Sequence, residues 1–305
     1  MYNKIMIGNF LGSDSDGAKS GFAYTAAIVC FFITSFIASV IITACGLDGT
    51  DAAKYINYLS SPIAIAAALA VYFRLTRTTP REDLRIKCKP KYYLIGLLLI
   101  FGLMFSLSTV NGYVIRLFEL MGYKPRQNTL PNLDGWGIVG GLFVICLLPA
   151  AFEEALFRGV ILSRAERGVG TWRAVLIAGF LFSLYHGSVE QTVYQFICGC
   201  LFALLAVRSR SVMPAMVIHF INNAVIIILA ALGCYDSSGN LAIPTGAFIA
   251  LTALSAAALA AAVLLLAFDK TNTQERKKGE VKRIFLFASV GIVAMAIVWI
   301  SGLFV

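Results

Sequence analysis

Residues 135–162 read GWGIVGGLFVICLLPAAFEEALFRGVIL and place three charged side chains inside one apolar run. The three are Glu153, Glu154 and Arg158. About 20 largely apolar residues are enough to cross a bilayer as a helix. A charge in the hydrocarbon region costs at least about 2.5 kcal/mol, so such residues are rare and usually functional. The run therefore predicts a membrane helix that carries functional carboxylates.

The composition of the whole chain points the same way. Of its 305 residues 59% are hydrophobic and 13% are charged, whereas soluble domains are about 45–50% apolar and 25% charged. This excludes a soluble globular domain and predicts an all-α, polytopic transmembrane helical bundle of about nine spans, with eight as the alternative. The predicted spans are 22–46, 55–73, 92–115, 136–162, 172–187, 191–207, 212–233, 245–268 and 284–304.

Lysine and arginine are distributed unevenly between the predicted loops. Twenty of the 25 lie in the amino terminus and the even-numbered loops, four lie in the odd-numbered loops, and the last is Arg158. Cytoplasmic loops are enriched in Lys and Arg. The pattern predicts a multi-pass cell-membrane protein with a cytoplasmic amino terminus and, if it has nine spans, an outside carboxyl terminus. Because the net charge of +9 comes from these loops, it does not indicate nucleic acid as a partner.

Few polar side chains fall inside the predicted spans. Fourteen of the 16 acidic residues lie in loops or at span ends, and both histidines of the sequence lie in apolar runs. The intramembrane polar set is Glu153, Glu154, Arg158, His186, His219, Asn222 and Asn223.

The spacing of these residues predicts which of them share a helix face. Residues four apart lie on one face, and the pairs with this spacing are Glu154 with Arg158, Phe182 with His186, and His219 with Asn223. Glu153 is turned about 100° from its neighbour and faces a different space. At 1.5 Å per residue, Glu153, both histidines and Asn223 lie roughly 12–20 Å deep. We therefore expect spans four, five and seven to bring them to one buried cavity.

This set is suited to hydrolysis of a peptide bond by an activated water. A carboxylate beside an imidazole is a base arrangement that can deprotonate water. A second histidine with an asparagine can donate hydrogen bonds to a developing oxyanion. The absence of a GxSxG motif argues against a serine nucleophile on an elbow turn.

The three motifs, EExxxR from Glu153, FxxxH ending at His186 and HxxxN from His219, resemble those of the CPBP family. This is the CAAX protease and bacteriocin-processing family, also called Abi, and it includes the Ras-converting CAAX endopeptidase. The local sequence EEALFRG, which starts at Glu153, looks typical of bacterial members. The resemblance covers about residues 135–233.

The resemblance implies an intramembrane glutamic endopeptidase that needs no cofactor. Glu153 would activate the water with His186, while His219 and Asn223 would form the oxyanion site. The supporting residues would be Glu154, Arg158, Phe182 and Asn222. Residues 1–305 would form one integral membrane domain, with a protease core at 136–233 between spans one to three (1–135) and spans eight and nine (234–305). The substrate would be a peptide or a membrane-associated protein, such as a bacteriocin, a signalling peptide or a CAAX-like protein.

Other interpretations use the same residues. Glu153, Glu154 and Arg158 can form a structural ion-pair network, and intramembrane histidines can join helices by hydrogen bonds. Glu153, His186 and His219 also make a His₂Glu set of the catalytic zinc type, although no HExxH is present. A non-catalytic immunity or scaffold protein, or a transporter with a midplane proton site, is a further alternative. The chain has no inverted repeat that would favour the transporter.

Overall fold

The computed structural model describes residues 15–125, 129–235, 241–269 and 279–304. These residues are helical and contain no β-sheet; one isolated bridge joins Tyr235 and Leu241. Lys4, Arg126 and the basic residues between 270 and 278, which were counted above for orientation, lie outside the described residues. The all-α prediction is confirmed.

Ten helices organise the described residues. They are α1 (Asp16–Ala44), α2 (Asp51–Thr76), α3 (Pro80–Asp83), α4 (Lys91–Leu120), α5 (Trp136–Val169), α6 (Thr171–Tyr185), α7 (Thr192–Ser209), α8 (Met213–Ala231), α9 (Thr245–Phe268) and α10 (Glu280–Ser301). A 3₁₀ turn, Gly302–Phe304, follows α10. Helix α4 contains one π-helical segment, Leu103–Leu107, and α5 contains two, Leu142–Leu147 and Ala155–Ile161.

Eight of these helices, in the part of the chain that the structure describes, are long and apolar enough to cross a membrane. Helix α6 is apolar, but its 15 residues extend only about 22 Å, against a hydrocarbon core of about 30 Å. The described residues therefore contain eight full-length candidate spans, and the remaining predicted span, the fifth, is the short apolar helix α6. The predicted fifth span, 172–187, ends early because Gly187 takes a left-handed conformation (φ +57°) directly after His186.

Helix α6 nevertheless reverses the direction of the chain. Ser15, before α1, donates a hydrogen bond to Glu280 at the start of α10. Thr25 Oγ1 donates to the Phe287 carbonyl about two to three turns further along both helices. Helices α1 and α10 therefore run parallel. Eight long helices that simply alternated in direction would leave α1 and α10 antiparallel. The observed parallel arrangement therefore requires one more reversal, which α6 supplies by running antiparallel to α7.

Close packing of α1 against α10 depends on small residues. A Cβ added at Gly21 would lie 2.2 Å from the Ile284 carbonyl oxygen, and one at Gly291 would lie 3.1 Å from the Tyr24 ring. Small residues let helix backbones approach closely where lipid supplies no hydrophobic driving force. Helix α10 is therefore an integral part of the bundle.

One end of the bundle gathers the basic segments 74–91, 164–173 and 208–213, and we call it the basic end. Here Arg164, near the end of α5, lies 2.7 Å from Asp83 of α3 and 3.3 Å from Asp16 of α1. Burial raises the pKa of Asp83, although Arg164 and Arg167 favour its charged form. This ion-pair network ties α1, α3 and α5 together.

Candidate active site

The irregular course of α5 sets the position of the two glutamates. They lie in the short α-helical segment Leu148–Glu154, between two π-helical segments. Pro149 has no N–H to donate to the Ile145 carbonyl four residues earlier. Asn223 of α8 lies close to that oxygen, with Nδ2 at 3.4 Å. Segments of π-helix occur frequently at functional sites, and here they flank the charged residues.

The carboxylate of Glu154 is the centre of a buried network. Its Oε1 accepts a hydrogen bond from Arg158 Nη1 at 2.8 Å and lies 2.9 Å from Nδ1 of His219. Glu154 is 0% exposed and Arg158 is 3% exposed. Arg158 Nη2 also reaches the Gly199 carbonyl of α7, at 3.4 Å. One carboxylate therefore links α5 to α8, and its arginine partner links α5 to α7.

Phe182 of α6 packs against three of the polar groups. Its ring centroid lies 4.2 Å from the Arg158 guanidinium carbon, 4.7 Å from the His186 ring and 6.5 Å from the His219 ring. A cation over an aromatic face is stabilised by the quadrupole of the ring. The predicted packing of Phe182 beside His186 is confirmed, and the same ring also contacts the ion pair.

His186 is held by its own helix. Its Nδ1 lies 2.8 Å from the Phe182 carbonyl oxygen. Because a carbonyl only accepts, Nδ1 carries the hydrogen and a neutral His186 has its lone pair on Nε2. The imidazole is thus oriented to act as a base or as an acceptor through Nε2.

Glu153 differs from Glu154 in its contacts. It is 8% exposed and, among the described residues, it has no hydrogen bond or close ion pair. It interacts electrostatically with His186, Arg158 and Tyr185. A buried carboxylate with free acceptor capacity beside an imidazole is the arrangement expected of a water-binding base.

The two asparagines of α8 bond to each other. Asn222 Nδ2 donates to Asn223 Oδ1 at 3.1 Å, which orients the Asn223 amide so that its Nδ2 points towards α5. Asn222 is therefore placed to position Asn223. This agrees with the supporting role that the sequence suggests for Asn222.

The structure changes one expected pairing. The sequence predicts that Glu154 pairs with Arg158, and the 2.8 Å ion pair confirms this. It also predicts that His219 shares a space with Glu153, whereas His219 bonds to Glu154. The side chain of His219 reaches the buried carboxylate because α8 packs directly against the Leu148–Glu154 segment.

Sequence reasoning missed three aromatic or hydroxyl contacts around the site. The ring of Phe202 lies 6.0 Å from that of His219, Phe157 lies 5.0 Å from Phe182, and Ser61 bonds to the Tyr185 hydroxyl at 2.8 Å. Apolar residues in a membrane helix carry no signal that separates a site wall from ordinary packing. Only their position in space identifies them.

Within the described residues, no group of three His, Cys, Asp or Glu side chains is arranged to hold a metal ion. Nδ1 of His186 and of His219 each lies against an oxygen, which leaves Nε2 of both rings available. The absence of a metal in the mechanism therefore stays a prediction.

Comparison with known proteins relates this site to a family. Residues 135–225 match the family described as type II CAAX prenyl endopeptidase Rce1-like, and this segment contains all three motifs. The chain is 24% identical over 198 residues to the membrane-embedded CAAX protease MroQ of Staphylococcus aureus (strain USA300), covering 61% of this chain and 78% of that protein. It is 25% identical over 174 residues to YdiL of Bacillus subtilis (strain 168), a candidate membrane peptidase, covering 56% of this chain and 71% of that protein. No solved structure matches the chain significantly. In this multi-pass membrane protein, the segment that carries all three motifs around one buried site is therefore similar to the Rce1-like type II CAAX prenyl endopeptidase family.

Proposed function

We propose that the chain is an intramembrane endopeptidase that hydrolyses a peptide bond with a water activated by Glu153 and His186. The observation that carries this proposal is the contrast within the glutamate pair. Oε1 of Glu154 is shared by Arg158 and His219, and its buried Oε2 has no partner in the described residues, whereas Glu153 has no hydrogen bond or ion pair to another described side chain and lies within electrostatic range of His186. The family supports a peptidase activity, and the geometry supports the division of roles.

In this mechanism Glu153 takes a proton from the water as the oxygen attacks the peptide carbonyl. The lone pair on His186 Nε2 accepts a hydrogen bond from the same water and holds it in line. Glu153 then passes the proton to the departing amine. General acid–base catalysis of this kind contributes about 10²–10⁴-fold.

The oxyanion of the tetrahedral intermediate would accept hydrogen bonds from Asn223 Nδ2 and His219 Nε2. Since His219 Nδ1 donates to Glu154, donation from Nε2 requires the imidazolium form. Hydrogen bonds from fixed donors to the developing oxyanion are the usual way in which acyl transfer is stabilised.

The substrate is a peptide or a membrane-associated protein with a scissile bond that reaches the site between α5, α6 and α8. A bacteriocin, a signalling peptide and a CAAX-like protein all fit this class. The mechanism uses no metal. The basic end faces the cytoplasm in this proposal, because cytoplasmic loops are enriched in Lys and Arg.

A direct test compares the peptides released from membranes that contain the wild type or the Glu153→Gln variant. Peptides present only with the wild type would be substrates or products, because the substitution keeps the shape of the side chain and removes the base. Glu119→Gln, an identical change in an exposed helix pair with Arg116, is the matched control. If Glu153→Gln inserts normally and releases the same peptides, proteolysis through this residue is refuted, and a scaffold or transport role is favoured.

A further inference from the structure

The basic end of the bundle contains a cavity of about 190 Å³, which shares only Arg158 with the network around the two glutamates. It lies between the end of α5, the end of α7, the segment after α3 and the start of α8. Its charged lining residues are Asp83, Arg85, Arg158, Glu166, Arg167 and Arg210. We call it the arginine cavity. Four guanidinium groups face two carboxylates, so the lining is net positive.

Both carboxylates of the arginine cavity are already engaged. Asp83 is paired with Arg164 at 2.7 Å and with Arg167 at 3.5 Å. Glu166 Oε1 accepts a hydrogen bond from the Thr171 hydroxyl at 2.7 Å. Neither carboxylate is therefore left to neutralise the remaining arginines of the lining.

Two arginines of the lining, Arg85 and Arg210, retain donors that no group of the described residues uses. In the described part of the chain their side chains have no hydrogen bond or ion pair, and both residues are exposed. The guanidinium of Arg158 is not available to a ligand in the cavity, because it is 1% exposed and directed at Glu154 and Gly199.

The backbone holds the two exposed arginines in fixed positions. Val212, which precedes α8, donates its N–H to the Arg85 carbonyl at 2.8 Å. Arg210 ends α7 in a left-handed conformation (φ +52°) and donates its N–H to the Val207 carbonyl. The first turn of α8 also points its positive dipole end at the cavity. These features fix the backbone positions from which the two arginine side chains extend at the cavity.

The surroundings of the cavity match the level of lipid headgroups. Ile86, next to Arg85, is 63% exposed, and Trp172 at the start of α6 is 54% exposed. The Arg208 guanidinium lies 5.7 Å above the Trp172 ring. Exposed tryptophan beside basic residues is typical of the membrane–water interface. Anionic lipids are attracted to basic segments at this level.

We propose that the arginine cavity binds a phosphate group, held by Arg85 and Arg210 at its mouth. Guanidinium forks bind phosphate oxygens through paired hydrogen bonds. The phosphate comes either from an anionic phospholipid headgroup or from a free phosphate ion. The proposal does not depend on the proteolytic function, because none of the water-activating or oxyanion residues lines the cavity.

The test uses the purified, delipidated full-length protein in a neutral detergent. Binding is measured by native mass spectrometry and by the shift of the thermal unfolding midpoint. The ligands are phosphatidylglycerol in mixed micelles, diacylglycerol as the phosphate-free lipid, and inorganic phosphate. The variants are Arg85→Gln/Arg210→Gln and, as the matched control, Arg74→Gln/Arg77→Gln, which removes the same charge from exposed positions at the same end. If the first variant unfolds, Arg85→Gln alone replaces it.

We expect the wild type and the Arg74/Arg77 variant to bind the phosphate ligand equally. The Arg85/Arg210 variant should bind at least about tenfold more weakly, because two charge-assisted contacts are lost. If phosphatidylglycerol binds saturably and inorganic phosphate does not displace it, the cavity is a lipid site. If inorganic phosphate binds and phosphatidylglycerol does not, it is a site for a free anion. Equal weakening in both variants, equal binding of diacylglycerol, or no binding of either phosphate ligand would overturn the proposal.

Discussion

Replacing Glu154 with glutamine tests the central network of the site. The change keeps the shape of the side chain and removes the charge that Arg158 and His219 share at 2.8 and 2.9 Å. The side chain of Arg158 is 1% exposed, so its charge would remain in a buried environment without its main partner. Removing one partner of a buried ion pair costs about 3–5 kcal/mol.

Two remaining contacts reduce this cost. Arg158 keeps a weak hydrogen bond to the Gly199 carbonyl at 3.4 Å and the contact with the face of Phe182. We therefore expect Glu154→Gln to lower the free energy of unfolding by about 3 kcal/mol. This is about a 150-fold change in the folding equilibrium. Titration with SDS, followed by helix content, measures this difference in a membrane protein.

The same substitution at a surface pair provides the control. Glu119 and Arg116 are 33% and 73% exposed, and breaking such a pair costs about 0–1 kcal/mol. Glu153→Gln, which breaks no hydrogen bond in the described residues, should also leave stability nearly unchanged. Stability loss that is equal in Glu154→Gln and Glu119→Gln, or greater in Glu153→Gln, would refute the reasoning.

Activity separates the two glutamates in a second way. Glu153→Gln should abolish cleavage. Glu154→Gln, measured at a temperature where it is folded, should lower kcat by about 10²-fold with little change in KM, because His219 loses the carboxylate that orients its ring towards the oxyanion. Complete and equal loss from both variants without misfolding would show that the division of roles is wrong.

Three further predictions follow from the structure. Chelation with 1,10-phenanthroline should leave cleavage unchanged; loss of activity that added zinc restores would overturn the metal-free mechanism. Gly199→Ala should destabilise the protein by about 1–3 kcal/mol, because its Cβ would lie 2.8 Å from the Gly179 Cα, whereas Gly246→Ala, with nothing within 4 Å, should not; equal melting of the two variants would contradict this. A membrane-impermeant maleimide should label Cys45 in intact cells but label an introduced Arg77→Cys only after permeabilisation, and the reverse pattern would invert the proposed orientation.

The sequence determined the membrane class, the apolar runs and the short list of intramembrane polar residues. These follow from composition and from the free-energy cost of placing charge in hydrocarbon. Spacing along one helix also predicted the pair of Glu154 with Arg158 and the contact of Phe182 with His186. Such pairs depend only on helical periodicity, which a sequence displays directly.

Only the tertiary structure decided how residues on different helices meet. The rotation and depth of α8 against α5 bring His219 to Glu154 rather than to Glu153, and periodicity within either helix carries no information about that choice. The same holds for Phe202 beside His219 and for the arginine cavity, whose walls come from four separate segments. The end of α6, in contrast, was predicted within two residues from the sequence, and it coincides with the left-handed turn at Gly187. Contacts between helices depend on close packing of complete surfaces, and this appears only when the helices are assembled.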